Sequence, residues 1–209
     1  MWQKASKEKI DPRSNMRKGP KNQANRFHIS AQCLCVRARI ELENAVLDKS
    51  QLDPVMYRDA MARLAGHVHI VTAEHEGERR GVTITAACSV SDNPATLLVC
   101  LNAANPRNAI FSQSGSFALN MLGAGHMDLA DVFSGRNKSD TSDRFSHGTW
   151  TTAVTGAPIL KQAVASFDCR LIDVKTVATH IVLFGEVAAI TLGEPAPALV
   201  YLDRDYRTL

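Results

Sequence analysis

The sequence predicts a mainly β protein with helices (β/α+β), folded as a closed or nearly closed antiparallel barrel with helical decoration. Two long runs at 163–174 and 179–191 are rich in β-branched and apolar residues, and shorter runs of this kind recur before them. Few segments have helical periodicity, and strands do not alternate with helices as they do in parallel sheets. Together these observations favour antiparallel pairing.

The first patterned element is a helix that follows residue 52. Asp53 is suited to the N-cap, Pro54 to the first helical position, and Gly66 to the end of the helix. Its apolar side chains are Val55, Met56, Ala60 and Leu64. A strand at 67–72 and an exposed hairpin at 74–80 then lead into the next segment.

The segment from Gly81 to Leu101 is predicted to form two strands joined by a turn at Asp92-Asn93-Pro94. Its first half, residues 83–91, is rich in small and hydroxyl-bearing side chains, and we call it the cradle segment. A strand with few bulky side chains leaves room for a flat ligand against its backbone. The alternative is an ordinary Thr/Ser-rich strand.

The remaining elements follow in order. Asn105-Pro106 is predicted to open a short helix that ends near Gly115, followed by a strand at 117–122 and a helix at 125–133. Residues 134–147 form a long polar loop, which is a candidate gate for a binding site. Short extended pieces at 150–154 and 159–160 precede the two long strands, and residues 199–206 form a final strand and turn.

Charge is distributed unevenly along the chain. Residues 1–27 contain eight Lys or Arg and two acidic residues, a net charge of +6, so the rest of the chain carries −3 of the total of +3. We predict that residues 1–52 are a basic, disordered extension and that 53–209 form the folded domain. The extension could instead bind RNA or a partner, or lie upstream of a start at Met56. The folded part has no basic surface typical of nucleic-acid binding.

Composition also limits the cellular setting. Hydrophobic residues make up 45% and charged residues 22%, which is typical of globular proteins. No apolar run approaches the roughly 20 residues that span a bilayer, so no membrane association is expected. The five cysteines form no CxxC pair, which favours reduced thiols in a cytoplasmic protein.

Several common catalytic motifs are missing from the sequence. It has no G-x-G-x-x-G, P-loop, HExxH or G-x-S-x-G. His67 and His69 share one face of a strand, but no third ligand has suitable spacing, so we predict no metal site.

Three features have the chemistry of a cofactor site. The cradle segment supplies main-chain donors and acceptors together with hydroxyls, as a flavin ring requires. Asn105 to Asn108 form a capped helix start with Arg107 beside it, which is suited to an anion. His180 interrupts an apolar strand, and an aromatic and polar cluster at 201–206 ends the chain; both could equally be structural.

Taken in order, these segments resemble the flavin reductase-like family, whose fold is an FMN-binding split barrel, and within it the reductases of bacterial pyrimidine utilisation. The stretches that carry the resemblance are YRDAMARLAGHVHIVT, GVTITAACSVSDNPATLLVCLN, FALNMLGAGH, DRF, TGAPIL, SFDCRLIDV, THIVLFGEV and YLDRDY. The basic extension and the NPRN segment depart from the family pattern.

The resemblance implies a homodimer that binds FMN, or alternatively FAD, and uses NADH, or alternatively NADPH. By position it assigns His180 as the catalytic residue, with His180, Arg204 and Tyr206 facing the nicotinamide. It assigns the flavin to Thr83, Ile84, Thr85, Cys88, Ser89, Val90, Arg107 and Asn108, the last two near the phosphate.

The function implied is hydride transfer from NADH to FMN, with reduced flavin released to a flavin-dependent monooxygenase, for example in pyrimidine or uracil degradation. Such a reaction needs little acid–base machinery, because the two cofactors carry the chemistry. The alternative is a non-catalytic flavin-binding protein on the same barrel.

Overall fold

The computed structural model describes residues 52–135 and 143–209. From Leu52 onward the chain forms one compact unit. The predicted basic extension lies outside the described residues except for Leu52. The central part of the predicted loop 134–147 also lies outside them.

Helix α1 (Pro54–Ala62) begins as the sequence predicts. The Asp53 carboxylate accepts a hydrogen bond from the Val55 N–H at 2.8 Å and so caps the helix. The helix ends earlier than predicted, and Gly66 instead opens strand β1 (Gly66–His67). None of the helical residues is buried, and Met56 is 67% exposed. The apolar face of α1 therefore has no covering partner in the described part of the chain.

Seven strands form the main sheet, and all of their pairings are antiparallel. Its order is β3-β2-β6-β9-β10-β5-β4. The strand bounds are β2 (His69–His75), β3 (Glu78–Ile84), β4 (Ala87–Asp92), β5 (Ala95–Asn102), β6 (Ser116–Met121), β9 (Ala165–Val177) and β10 (His180–Leu192). The mainly β, antiparallel prediction is confirmed.

The edge strands β3 and β4 are joined by only two residues, Thr85 and Ala86. In a flat sheet, six strand spacings of about 4.8 Å would hold these edges about 29 Å apart. The three residue steps from Ile84 to Ala87 reach at most about 11 Å. The sheet must therefore curl into a barrel whose seam lies at Thr85–Ala86.

The seam corrects one prediction. The cradle segment was expected to be part of a single strand, but the chain leaves β3 at Ile84 and re-enters the sheet as β4 at Ala87. The physical reason is pairing: β3 bonds to β2 and β4 bonds to β5, at opposite edges of the sheet. The expected turn between β4 and β5 is present and contains a cis Asn93–Pro94 peptide.

Short helices and two small sheets complete the fold. A 3₁₀ turn (Pro106–Ala109) leads into α2 (Ile110–Gln113), a second (Ala124–His126) leads into α3 (Met127–Ser134), and a third covers Asp143–Ser146. Strand β1 pairs with β11 (Leu199–Leu202), which pairs with β12 (Asp205–Thr208); β7 (Trp150–Thr151) pairs with β8 (Ile159–Leu160). β12 was expected to be only a turn.

The described residues form two main apolar cores. The first fills the barrel, where Val99, Phe117 and Leu183 are fully buried. The second lies under α3 and brings Phe133 and Leu129 against Leu199 of β11. The second core fixes α3 and the C-terminal strands beside the seam. None of the helices in the described residues has the length and apolar character needed to span a bilayer.

Candidate functional site

A cavity of about 800 Å³ opens at the seam between β3 and β4. Four groups of residues line it: the end of β3 and the seam, the end of β5 with the turn after it, the end of α3, and the two tyrosines of β11 and β12. His180 and Arg144 also reach it. The fold thus gathers residues that are more than 100 positions apart in sequence.

The floor of the cavity is the first part of the cradle segment. Thr85 and Ala86 are exposed, and Thr83 and Ile84 are half-buried, so no core side chain covers this backbone. The Thr83 hydroxyl donates to the Ala130 carbonyl at 2.7 Å and ties the floor to α3. The structure therefore has the open, slim surface that a flat ligand requires.

The wall beside the floor is aromatic. Phe133 packs against Phe145 and Trp150, with ring centroids 5.2 and 5.4 Å away. Gly81 lets Phe133 approach the sheet, because a Cβ built on Gly81 would lie 2.3 Å from the Phe133 ring. The sequence gives no residue-level signal for this contact.

One end of the cavity is strongly basic. Arg80 of β3 is only 5% exposed, and its guanidinium donates to Asn108 Oδ1 at 3.2 and 3.0 Å. Asn108 in turn donates to the Asn102 carbonyl at 2.9 Å. Arg144 is 9% exposed, and its buried Nε has no hydrogen-bond partner.

The positive charges of the arginines at this part of the cavity repel one another. Burial, followed by the charges of Arg144 and Arg107, lowers the pKa of Arg80, although Glu78 acts in the opposite sense. Burial and the Arg107 charge lower the pKa of Arg144. Among the described residues, no carboxylate forms an ion pair with Arg80 or Arg144. This arrangement suits an anionic ligand.

His180, Tyr201 and Tyr206 also line the cavity. His180 begins β10, is exposed, and has its Nδ1 2.9 Å from the Thr179 hydroxyl. The Tyr206 hydroxyl donates to Asp131 at 3.2 Å, which holds the ring next to Tyr201. Arg204 lies apart from the cavity lining and pairs with Asp59 of α1.

Six sequence-predicted residues therefore meet in one cavity: Thr83, Ile84, Thr85, Asn108, His180 and Tyr206. Cys88 and Ser89 line a second cavity of about 530 Å³, and Val90 is 49% exposed. Arg107 is exposed and lines a smaller neighbouring cavity. The roles given to these residues stay predictions.

Sequence reasoning missed Arg80 and Arg144 as site residues. A basic pair, Arg79-Arg80, at the end of the hairpin appeared to be solvent-exposed charge, and Arg144 stood within a polar loop. The available signal was the DRF stretch at 143–145, which carried part of the family resemblance.

The two histidines considered as metal ligands lie at the second cavity. Their ring centroids are 4.7 Å apart, and His67 Nε2 lies 2.8 Å from the Leu122 carbonyl oxygen. Burial, followed by the charge of His67, lowers the pKa of His69 to about 4. Within residues 52–135 and 143–209 no three His, Cys, Asp or Glu side chains group as metal ligands would. The absence of a metal site stays a prediction.

Comparison with known proteins identifies the family of this chain. Residues 61–209 match the family model described as the flavin reductase like domain. The chain belongs to the flavin reductase-like family. The predicted resemblance is confirmed, including its closer likeness to the reductases of bacterial pyrimidine utilisation (the Rut pathway).

Relatives within the flavin reductase-like family are similar over most of the chain. FMN reductase (NADH) RutF of Methylorubrum extorquens is 46% identical over 158 residues, which are 76% of this chain and 76% of that protein. FMN reductase (NADH) RutF of Variovorax paradoxus is 43% identical over 153 residues, 73% of this chain and 84% of that protein.

Solved structures of family members share the fold. Flavin reductase PheA2 superposes with a TM-score of 0.68 at 26% identity, over 76% of this chain and 99% of that one. Streptomyces globisporus NADH:FAD oxidoreductase SgcE6, in complex with NAD and FAD fragments, gives a TM-score of 0.67 at 25% identity over 74% of this chain and 92% of that one.

Proposed function

We propose that this protein is an NADH-dependent FMN reductase that supplies reduced flavin to a separate monooxygenase. Similarity to the RutF reductases supports the reaction, FMN and NADH. The observation that carries the proposal is the seam cavity, which is lined by a slim floor, by buried arginines with an unpartnered guanidinium nitrogen, and by His180.

The residues present fit FMN. The exposed backbone at Thr85 and Ala86 leaves room for a planar ring, and Phe133 supplies an apolar wall beside it. The orphaned Nε of Arg144 and the buried Arg80 provide donors for a phosphate at the basic end. Residues 83–85 would then hold the ring and its side chain.

Bound FMN would supply the chemistry, because its ring accepts the hydride of the nicotinamide. The chain then has to hold two planar groups in contact and keep water from between them. His180 and Tyr206 line the same cavity and are the side chains we propose to face the nicotinamide of NADH. Because Tyr206 is tied to Asp131, its ring forms a fixed wall.

FAD in place of FMN, and NADPH in place of NADH, are the alternatives within the same function. SgcE6 is named as an NADH:FAD oxidoreductase and the RutF relatives as FMN reductases, so both flavins occur among the relatives. For this chain, the higher identity to the FMN reductases favours FMN with NADH.

We also propose that the protein is a homodimer. Val55, Met56, Tyr57, Met61 and Leu64 of the α1 region are each more than 40% exposed, which is costly for large apolar side chains. A second copy that packs on this helix would remove them from water. Light scattering after size-exclusion chromatography gives the mass, and a monomer at micromolar concentration would refute the dimer.

The partner we propose is a flavin-dependent monooxygenase of pyrimidine degradation. BorF, a structural relative, is named as the flavin reductase component of a two-component tryptophan halogenase, at 25% identity. For this chain, the RutF relatives favour a pyrimidine oxygenase instead.

A rapid-mixing experiment tests the function. Protein, FMN and NADH are mixed anaerobically, and flavin reduction is followed by the loss of its visible absorbance. We expect reduction much faster than in the protein-free mixture. A rate equal to the protein-free rate would refute the reductase and leave the non-catalytic flavin-binding alternative.

A further inference from the structure

We propose that the second cavity, which is lined by His67 and His69, is a binding site for a small uncharged aromatic molecule with one ring hydroxyl group, of the phenol class. This site goes beyond the proposed function, because the second cavity shares no lining residue with the seam cavity. Ala86 lines the seam cavity and the next residue, Ala87, lines the second, so the two cavities are neighbours at the start of β4.

The inner wall of the second cavity is the apolar core of the barrel. Leu97 and Leu119 belong to this core and line the cavity. Phe167 and Val187 pack against the same core and also line the cavity, so an aromatic ring can contact the Phe167 ring. The volume of about 530 Å³ is typical of small-molecule sites, which are mostly apolar and contain a few polar groups.

His69 supplies a polar group that no described residue satisfies. The residue is 5% exposed and lines the cavity, and its buried Nδ1 has no hydrogen-bond partner among the described residues. Buried polar atoms are normally paired, because an unpaired one costs free energy. A hydroxyl group suits Nδ1 in either tautomer of the imidazole, since a hydroxyl both donates and accepts.

His67 is held in place beside His69. Its Nε2 lies 2.8 Å from the Leu122 carbonyl oxygen, and the ring centroids of the two histidines are 4.7 Å apart. Because a carbonyl oxygen can only accept, Nε2 of His67 is the donor in this bond. The hydrogen bond fixes one ring, and the fixed ring limits the positions of the other.

The charges around the second cavity favour an uncharged ligand. Among the described residues that line it there is no Lys or Arg, and Asp92, its one carboxylate, is exposed. Burial, followed by the charge of His67, lowers the pKa of His69 to about 4, so the His69 imidazole is neutral at pH 7. An anionic ligand would therefore lose its hydration without gaining a Lys or Arg partner.

A single water molecule on His69 would not fill this space. One water accounts for about 30 Å³ of liquid volume, far below the cavity volume of about 530 Å³. A ring with one hydroxyl group satisfies Nδ1 and covers the apolar wall at the same time.

The test uses phenol, toluene and benzoate as probes, with binding to the full chain measured by calorimetry in the presence and absence of FMN. We expect phenol and toluene to bind wild type and benzoate not to bind. His69→Phe should weaken phenol binding about tenfold and change toluene binding less than about threefold, because only phenol loses a hydrogen bond. His75→Phe is the matched control, since His75 lies in the same strand and does not line the second cavity.

Two further measurements locate the ligand. In wild type, phenol should shift the nitrogen resonance of His69 Nδ1 in an NMR spectrum, and toluene should shift it less. Ala95→Phe places a ring at the exposed start of β5, on the cavity lining, and should weaken binding of both phenol and toluene. Ala103→Phe, which lies outside this lining, should bind both as wild type does.

Three results would overturn the inference. The first is no binding of phenol to wild type, as would occur if a second copy of the chain covered the cavity. The second is equal loss of phenol and toluene affinity in His69→Phe. The third is displacement of phenol by FMN, because Cys88 and Ser89 would then hold the flavin as the family resemblance implies. None of these measurements contains NADH, so a failure of the proposed reductase function leaves their outcome unchanged.

Discussion

His180 lies opposite Asn102 at the last rung of the β5–β10 pair, and both residues line the seam cavity. Asn102 is in turn bonded through its carbonyl to Asn108, which holds Arg80. A continuous set of backbone and side-chain contacts thus joins His180 to Arg80. These two residues cannot move far apart without breaking contacts at the end of the sheet.

Replacing His180 with Ala should abolish most NADH oxidation while flavin binding is kept. The imidazole is exposed, lines the cavity and is one of the groups proposed to face the nicotinamide, so its loss should affect NADH oxidation more than flavin binding. Steady-state NADH oxidation and flavin fluorescence quenching measure the two properties. His147→Ala, an exposed histidine outside the cavity lining, is the control. Unchanged NADH oxidation in His180→Ala would remove this residue from the reaction.

Replacing Ala86 with Phe should weaken flavin binding at least tenfold. Ala86 is an exposed seam residue on the cavity floor, and a large ring there would occupy the space over the backbone. The measurement is the dissociation constant for FMN. Ala103→Phe, in the exposed turn after β5, should bind FMN as wild type does. Full FMN affinity in Ala86→Phe would place the ring elsewhere.

Replacing Gly81 with Ala should destabilise the fold by about 1–3 kcal/mol, because the new methyl group would meet the buried Phe133 ring. Urea unfolding followed by circular dichroism gives the free energy. Gly125→Ala is the control, since a Cβ there meets nothing within 4 Å. Equal stability of the two variants would mean that Phe133 moves aside without cost.

Stability should fall as the pH is lowered from about 6.5 towards about 4, and buried His69 should contribute to this loss. Its pKa is depressed in the folded protein, so the unfolded chain binds more protons within this window and gains stability relative to the fold. Below about pH 4 both states are protonated, and the contribution of His69 stops changing.

The His69 contribution to the free energy of unfolding changes by at most about 1.4 kcal/mol per pH unit. Urea unfolding of wild type and His69→Gln at several pH values isolates it, because the variant lacks the titrating group. The difference between the two proteins should shrink as the pH falls. A difference that stays constant from pH 7 to 4.5 would contradict the assignment.

The sequence predicted local elements better than long-range pairing. The caps at Asp53 and Asn105 and the long strands β9 and β10 follow from local residue chemistry, and all are present. The break at Thr85–Ala86 was missed because β-branched and small residues run on through it without a Gly or Pro. It is imposed by the pairing of β3 and β4 with different partners, which no local pattern records.

The difference between local patterns and long-range packing also explains which residues of the candidate site could be predicted from the sequence. The slim floor and His180 could be recognised from residue types within one strand. Arg80 and Arg144 are 64 positions apart, and a basic residue in a polar hairpin or loop is ordinarily solvated. Only the packing of α3 and the 3₁₀ turn against β3 buries both guanidinium groups beside one cavity.

The two-residue seam has a consequence for how the protein acquires its ligand. The cavity floor is also the point where the barrel closes, so an incompletely assembled chain with β2–β3 formed but β4–β5 undocked would lack half of the lining. Binding in the seam cavity of a ligand with visible absorbance would then show that the barrel has assembled completely. A chaperone or protease would therefore encounter either an incomplete barrel that lacks the ligand site or a complete barrel that can bind the ligand.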